Sequence, residues 1–151
     1  MKPTTKSELA LNGMVELAKL RHPKPLALAQ LAKKQTISLS YLEQIFAALR
    51  RSGLVLSVRG PGGGYLLARS SETITAGEIV SAVDSPKTRK ARNISELEGN
   101  YSAIERNVDA FWSLMKGRTI ELYHQISLQD IVDGNLLVEE NIQDLSPQAA
   151  E

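Results

Sequence analysis

The chain contains 151 residues, 42% of them hydrophobic, which is enough to fill one core for a single domain with an appendage. It has no apolar run near the roughly eighteen residues of a membrane span and no recognisable signal peptide, so we expect a cytoplasmic protein without membrane contact. The cysteine count is zero, which excludes thiol redox sensing.

Charge is divided unevenly along the chain. Residues 1–84 contain eleven Lys and Arg against six Asp and Glu, a balance of +5, whereas residues 85–151 contain seven against eleven, a balance of −4. A basic half beside an acidic half fits a DNA-binding module with an appended region that avoids DNA. An ordinary imbalance on a solvated surface is the alternative interpretation.

Two short helices are predicted near the N-terminus. A capping box at Thr5 to Glu8 begins a helix over residues 6–20, and the proline-containing segment 21–25 ends it. A second helix is predicted over residues 26–34, followed by a turn at residues 35–38. Three of its residues are expected to point inward: Leu28, Leu31 and Ala32.

The third helix, over residues 38–52, has two distinct faces. Ser38 or Ser40 can cap its beginning, and Gly53 is placed for a left-handed C-terminal cap. Helical spacing puts four apolar residues on one stripe, namely Leu42, Ile45, Phe46 and Leu49. The opposite face consists of residues that can bond bases or phosphates: Ser40, Tyr41, Glu43, Gln44, Arg50 and Arg51.

A β-hairpin is predicted directly after this helix. Its strands are residues 54–58 and 65–68, and its tip runs from Arg59 to Gly64 with four glycines. A helix followed by such a hairpin is typical of a winged helix-turn-helix, which binds DNA. The predicted fold class is therefore mainly α with a small β-hairpin wing, and residues 1–84 form the DNA-binding domain.

Residues beyond the wing are predicted to form an appended region. A capping box at Thr75 to Glu78 begins a helix with Ile79, Val80 and Val83 inside. Residues 85–100 lack a sustained apolar period and are predicted to be a linker. Residues 101–134 then form a long helix, which begins with a capping box at Ser102 and extends to about residue 123, and a short helix over 127–132 closed by Gly134. Residues 135–151 are predicted to be a flexible acidic tail.

The long helix has an apolar stripe, here called the apolar seam, which consists of Ile104, Val108, Phe111, Met115 and Leu122. A stripe of this length has no partner of matching size within so small a chain. We therefore expect the seam to pair two copies of the chain as a homodimer. The alternative is that the helix folds back over its own winged helix.

Two motifs carry a family resemblance. The segments SLSYLEQ at residues 38–44 and SVRGPGGGY at residues 57–65 resemble the Rrf-two family of bacterial winged-helix repressors, and the likeness extends to about Gly134. The resemblance implies a homodimeric repressor on a pseudo-palindromic operator of double-stranded DNA. We expect the long side chains of the third helix to contact base edges, while the residues around them hold phosphates. The expected DNA-contacting residues are Thr4, Ser38, Ser40, Tyr41, Glu43, Gln44, Arg51, Ser57, Arg59, Gly60 and Pro61.

Individual roles follow from chemistry and from the resemblance. Tyr41, Glu43 and Gln44 are expected at base edges, since Gln can pair with adenine and Glu can accept from cytosine. Arg59 is expected in the minor groove, as in relatives with the same wing motif. A carboxylate of its own domain is the alternative partner for Arg59, and an arginine of its own helix is the alternative partner for Glu43.

Iron–sulfur members of the family use three cysteines before the dimer helix, often with a histidine or carboxylate as fourth ligand. With no cysteine here, no cluster, cofactor or metal site is expected. Arg106 and Asp109 stand where the resemblance places the last cysteine and the histidine, and Glu8 stands where some relatives supply a carboxylate. The alternative is a cysteine-substituted form of an iron–sulfur regulator, with Ala91 or Ala103 marking replaced positions.

No nucleophile with an adjacent base is evident, and the glycine-rich loop lacks the Gly-Lys-Ser/Thr ending of a nucleotide-binding loop, so we do not expect an enzyme. Two hypotheses remain. One is a DNA-binding transcription regulator, whose effector is not evident from the sequence. The other is an interaction protein whose winged helix binds a protein partner, as some family members engage an enzyme of cysteine synthesis. A steep salt dependence of DNA binding distinguishes the first from the second.

Overall fold

The computed structural model describes residues 4–20, 24–84 and 102–136. The predicted fold class is confirmed: the described chain is mainly helical with one two-stranded antiparallel sheet. In order, the elements are α1 (Thr5–Ala18), α2 (Leu28–Gln35), α3 (Leu39–Arg51), β1 (Val55–Val58), β2 (Gly64–Leu67), α4 (Ala76–Asp84), α5 (Ala103–Gln125) and α6 (Leu128–Asp133). The predicted linker and most of the acidic tail lie outside the described residues. No described helix is long and apolar enough to cross a membrane.

The core lies where α1, α2 and α3 meet the hairpin. The four residues of the predicted stripe on α3 are all fully buried, and the inward residues predicted for α2 are buried as well. Helix α1 approaches α3 closely at Gly13, where an added Cβ would lie 2.9 Å from two ring atoms of Phe46. Close packing on one side of α3 leaves its other side free to face solvent.

The predicted beginning of α1 is wrong. Thr4, and not Thr5, is the N-cap, because its hydroxyl oxygen accepts a hydrogen bond from the Ser7 backbone N–H at 3.1 Å. Glu8 therefore lies in the first turn without closing a capping box. A carboxylate is still favourable there, since it complements the positive end of the helix dipole.

Helix α2 begins two residues later than predicted. The backbone of Leu26 pairs with Tyr65 of β2 in both directions, at 2.9 and 3.0 Å, and so belongs to the base of the wing. The helix then ends at Gln35, and its C-cap Thr36 has a left-handed backbone with φ 56° and ψ 43°.

The turn from α3 into the wing is short and well bonded. Ser38 caps the beginning of α3 through the Tyr41 backbone N–H at 3.2 Å. At the other end Gly53 has φ 72°, its N–H bonds the Arg50 carbonyl at 3.0 Å, and the Leu54 N–H bonds the Leu49 carbonyl at 3.0 Å. This is the Schellman arrangement. It confirms the predicted glycine cap and sends the chain directly into β1.

The capping boxes predicted at Thr75 and Ser102 are confirmed, and a third is formed by Ser127 and Asp130. Gly134 closes α6 with φ 75°, as predicted. Of the three α4 residues predicted to lie inside, Ile79 and Val83 are buried, whereas Val80 is half-buried.

Helix α5 packs against α4 and contains no buried residue. The side chains of the apolar seam are between 46% and 74% exposed. Within the described residues, therefore, the seam does not fold back over its own winged helix. The alternative that α5 covers its own winged helix with this seam is therefore wrong for the described residues.

Candidate nucleic-acid interface

The exposed face of α3 is one half of the candidate interface. Among the predicted contact residues of the helix, Ser40, Glu43, Gln44 and Arg51 are exposed. Glu43 is the one acidic residue in α3, and among the described residues it forms no ion pair. The alternative partnership of Glu43 with an arginine of its own helix is absent.

Tyr41 differs from its neighbours on this face. Its side chain is half-buried and packs against the core, so only part of the ring is available to a ligand. The adjacent pair Glu43 and Gln44 therefore presents the exposed polar side chains in the middle of α3. Ser38, whose hydroxyl caps the helix, lies exposed at its beginning.

The tip of the wing is the other half of the candidate interface. Arg59, Gly60 and Pro61 are all exposed. Gly60 and Gly62 have φ of +98° and +74°, which L-residues rarely adopt, and the Gly63 N–H closes the turn on the Gly60 carbonyl at 2.9 Å. The glycines thus make a slim tip from which the Arg59 side chain extends. Among the described residues Arg59 forms no ion pair with a carboxylate of its own domain.

The wing is fixed to the helices at its base. A Cβ on Gly64 would overlap the carbonyl group of Leu26, so only glycine permits this close approach. The Tyr65 ring packs edge-on against Phe46 of α3, with ring centroids 5.0 Å apart. Ser57 is exposed on β1, and its hydroxyl lies 3.5 Å from a guanidinium nitrogen of Arg50. The wing and α3 therefore share one rigid support.

Thr4 is exposed, but its hydroxyl already has partners. Besides capping α1, it donates to one carboxylate oxygen of Asp84 at 2.7 Å, and the buried hydroxyl of Ser7 donates to the other. Sequence reasoning missed this link between α1 and the end of α4, because residues so distant in sequence give no local pattern. A DNA contact by Thr4 remains a prediction.

Ionised carboxylates elsewhere are held by local partners. The hydrogen bond from Lys34 lowers the pKa of Glu16, so one lysine near the end of α2 is already paired. The backbone N–H of Ser102 lowers the pKa of Glu105, and the Ser127 hydroxyl lowers that of Asp130. Neither Arg51 nor Arg59 has such a partner among the described residues, so both charges remain available to phosphates.

An iron–sulfur cluster does not fit these residues. Thiolates hold iron in such clusters, and the chain has no cysteine. The described residues contain no group of three or more His, Asp or Glu that could hold a metal ion. Asp109 lies exposed in the second turn of α5, and Arg106 supplies a cation in place of a ligand.

A helix-turn-helix with an exposed polar recognition face and a slim cationic wing defines the class of winged-helix DNA-binding regulators. The family model described as "Rrf2: Iron-dependent Transcriptional regulator" matches residues 3–134. The chain belongs to this Rrf-two family of transcription regulators, as the two motifs predicted.

Individual relatives agree with this assignment. The HTH-type transcriptional regulator IscR of Erwinia tasmaniensis is 37% identical over 133 residues, covering 88% of this chain and 79% of the relative. The solved structure of T. potens IscR is similar with a TM-score of 0.70 and 30% identity, covering 89% and 88% of the two chains. The structure of CymR, the global cysteine regulator of B. subtilis, is similar with a TM-score of 0.67 and 29% identity, covering 89% of this chain and 98% of that one. These relatives are transcription regulators, which confirms that the protein is not an enzyme.

Proposed function

We propose that the protein is a homodimeric, sequence-specific repressor that binds a pseudo-palindromic operator. Helix α3 enters the major groove, and Arg59 on the wing enters the adjacent minor groove. The observation that supports this most directly is the shared rigid support of α3 and the wing, with Glu43, Gln44 and Arg59 all exposed. Membership of the family supplies DNA as the partner.

The dimer is supported by the exposure of α5. Complete burial of a large apolar side chain stabilises by ~1.5–3 kcal/mol, and about half of that is still available for each residue of the seam. Covering the five side chains in two copies gives on the order of 10 kcal/mol before the entropy of association is subtracted. This gain is of the same order as the ~4–15 kcal/mol that association costs, so the seam can be the main contribution to a dimer but not the whole of it.

Each residue of the interface has a proposed role. Glu43 and Gln44 contact base edges, with the accessible part of Tyr41 beside them. Arg51, together with the hydroxyls of Ser38 and Ser40, holds phosphates. Arg59 follows the negative potential of a narrow A·T-rich minor groove, and the backbone of Gly60 and Pro61 lies against the groove wall. Ser57 and Thr4 contact the DNA backbone.

We also propose that the regulator acts without an iron–sulfur cluster. The basis is the missing thiolates. An absorbance spectrum of anaerobically purified protein tests this directly. Iron–sulfur charge-transfer bands would overturn the proposal, whereas the transparent spectrum of an ordinary protein supports it.

Phe111→Asp tests the dimer and the DNA complex together. A buried charge in the seam should give monomers in light scattering, and should weaken binding at least tenfold to duplex DNA selected from a random library by the natural chain. The matched control is Ile120→Asp, nine residues along α5 and therefore on the opposite face of the helix, which is 45% exposed and should remain dimeric.

Two outcomes contradict the proposal. If Phe111→Asp remains dimeric, the seam is not the dimer interface. If the natural chain binds the selected DNA with no salt dependence, phosphate contacts are absent, and the winged helix serves a protein partner instead.

A further inference from the structure

The junction between α5 and the winged-helix unit (residues 4–84) lies at the last turn of α5. The Ala76 N–H bonds the Ile126 carbonyl at 2.8 Å, and the Leu128 N–H bonds the Ile74 carbonyl at 2.7 Å. These backbone bonds fix the chain just after α5. The direction of α5 itself also depends on its packing against α4.

His124, which is exposed in the last turn of α5, lies against the beginning of α4. A Cβ added to Gly77 would lie 2.6 Å from Cγ of the imidazole and 2.7 Å from Cδ2 and Nδ1. Nδ1 also lies 3.3 Å from the Thr75 hydroxyl. Glycine is a poorer helix former than alanine, and Gly77 has no positive φ to require it. The close approach of the His124 ring is the structural reason for glycine at this position.

Thr75 connects this contact to the base of the wing. Its N–H donates to a carboxylate oxygen of Glu78 at 2.9 Å, and the other oxygen of Glu78 bonds Arg69, two residues after β2. The side-chain contacts thus run from Arg69 through Glu78 and Thr75 to His124. A shallow cleft opens beside the imidazole, lined by Ser52, Leu54, Ser81 and Ala82. Because this side is open, Gly77 and Thr75 determine where the ring sits.

We propose that His124, seated on Gly77 and bonded to Thr75, is a positioning residue that sets the angle between α5 and the winged-helix unit. Through that angle it sets the separation of the two recognition helices, a second step that rests on the proposed dimer. Asp109 is fifteen residues before His124, or ~22 Å along the helix. A tilt of about 10° at His124 therefore moves that part of α5 by about 4 Å, close to the ~3.4 Å of one base-pair step.

The angle can be measured within one chain. Because the chain contains no cysteine, two nitroxide labels can be attached at Lys33→Cys on α2 and Asp109→Cys on α5, both exposed positions. Diluting the labelled chain with excess unlabelled chain restricts pulsed dipolar spectroscopy to the intrachain distance. This readout does not require a dimer.

Gly77→Ala should shift the mean distance by several Å, and His124→Ala should broaden the distribution. In the double variant Gly77→Ala/His124→Ala the added Cβ no longer meets an imidazole ring, so the mean distance should not shift as it does in Gly77→Ala. His124→Asn retains a hydrogen-bonding group for Thr75 and should stay closer to the natural distribution. Gly117→Ala is the matched control, because no atom lies within 4 Å of the added Cβ, and its distribution should be unchanged.

The positioning role is overturned if His124→Ala, shown to be folded by its melting curve, keeps the natural mean and width. Undiluted chain labelled only at Lys33→Cys measures the distance between the two winged-helix units. If that sample gives no dipolar signal, the proposed dimer is refuted, while the intrachain result is unaffected. An unchanged interchain distance beside a changed intrachain distance overturns the second step alone.

Discussion

Thr36 occupies a backbone conformation that does not suit it. It ends α2 at φ 56°, and it is the one non-glycine residue with positive φ among the described residues. The left-handed conformation costs an L-residue ~1–2 kcal/mol, and branching at Cβ adds crowding. The Thr36 N–H bonds the Ala32 carbonyl, and a glycine would keep that bond. The side chain itself is exposed.

Thr36→Gly should therefore stabilise the protein. Relief of ~1–2 kcal/mol is partly offset by the ~0.5–1 kcal/mol that glycine loses in backbone entropy. The expected net gain in the free energy of unfolding is about 1 kcal/mol, or roughly 3 °C in melting temperature for a chain of this size. Thr36→Ala keeps the Cβ and should gain less.

Urea unfolding at neutral pH measures this difference. The matched control is Gln30→Gly, exposed within α2, which should lose ~1 kcal/mol because its backbone is ordinary helix. Opposite signs at Thr36 and Gln30 are expected. If both glycine variants lose stability equally, the threonine side chain stabilises the turn and the reasoning from φ is refuted.

Three further predictions concern the interface and acid stability. Glu43→Ala should relax the preference for one base pair without abolishing affinity, measured on single-base variants of the selected DNA; equal weakening on every sequence would make Glu43 structural. Arg59→Ala should lose ~1–3 kcal/mol of DNA affinity, most on A·T-rich flanks and with dimerisation unchanged; equal binding across a salt series would remove the wing from the interface. Burial opposes ionisation of Glu78, but bonds from Thr75 and Arg69 outweigh it and hold the pKa of its carboxyl below the ordinary value of a glutamate. The ionised Glu78 therefore stabilises the fold at pH values above the pKa of an unfolded glutamate, and this stabilisation is lost as the pH falls through the lower pKa of the folded state. Glu78→Gln should accordingly lose less melting temperature than the natural chain over that acid range. Equal losses of melting temperature in the two proteins would contradict the prediction.

Local patterns in the sequence were sufficient for α3 and the wing. The stripe at residues 42–49 has a helical period, and the glycine-rich tip between two short apolar runs marks a hairpin, so both could be located without tertiary information. Exposure of Glu43, Gln44 and Arg59 followed from the same periods. Tyr41 did not follow, because an aromatic ring at the edge of a stripe can turn toward the core.

The errors arose where distant residues decide a boundary. The spacing of Thr5 to Glu8 predicts Thr5 as the cap, but the structure uses Thr4, whose hydroxyl also bonds the distant Asp84. Leu26 has the apolar character of a helix residue, but pairing with Tyr65 withdraws its backbone from α2. His124 gave no signal at all, since its importance depends on a glycine 47 positions earlier in the chain.

The three-residue connection between α3 and β1 has a consequence for how operator sequence is recognised. The backbone N–H groups of Ser52, Gly53 and Leu54 each bond a carbonyl of α3, so in the proposed complex a rotation of α3 in the major groove must also move the strand that leads to Arg59. If α3 and the wing bind DNA as proposed, a base change under Glu43 that shifts the helix should therefore alter the fit of Arg59 in the minor groove. Binding energies at these operator positions should not add independently, and a description of the site that scores each base separately will misrank sequences that differ in both grooves.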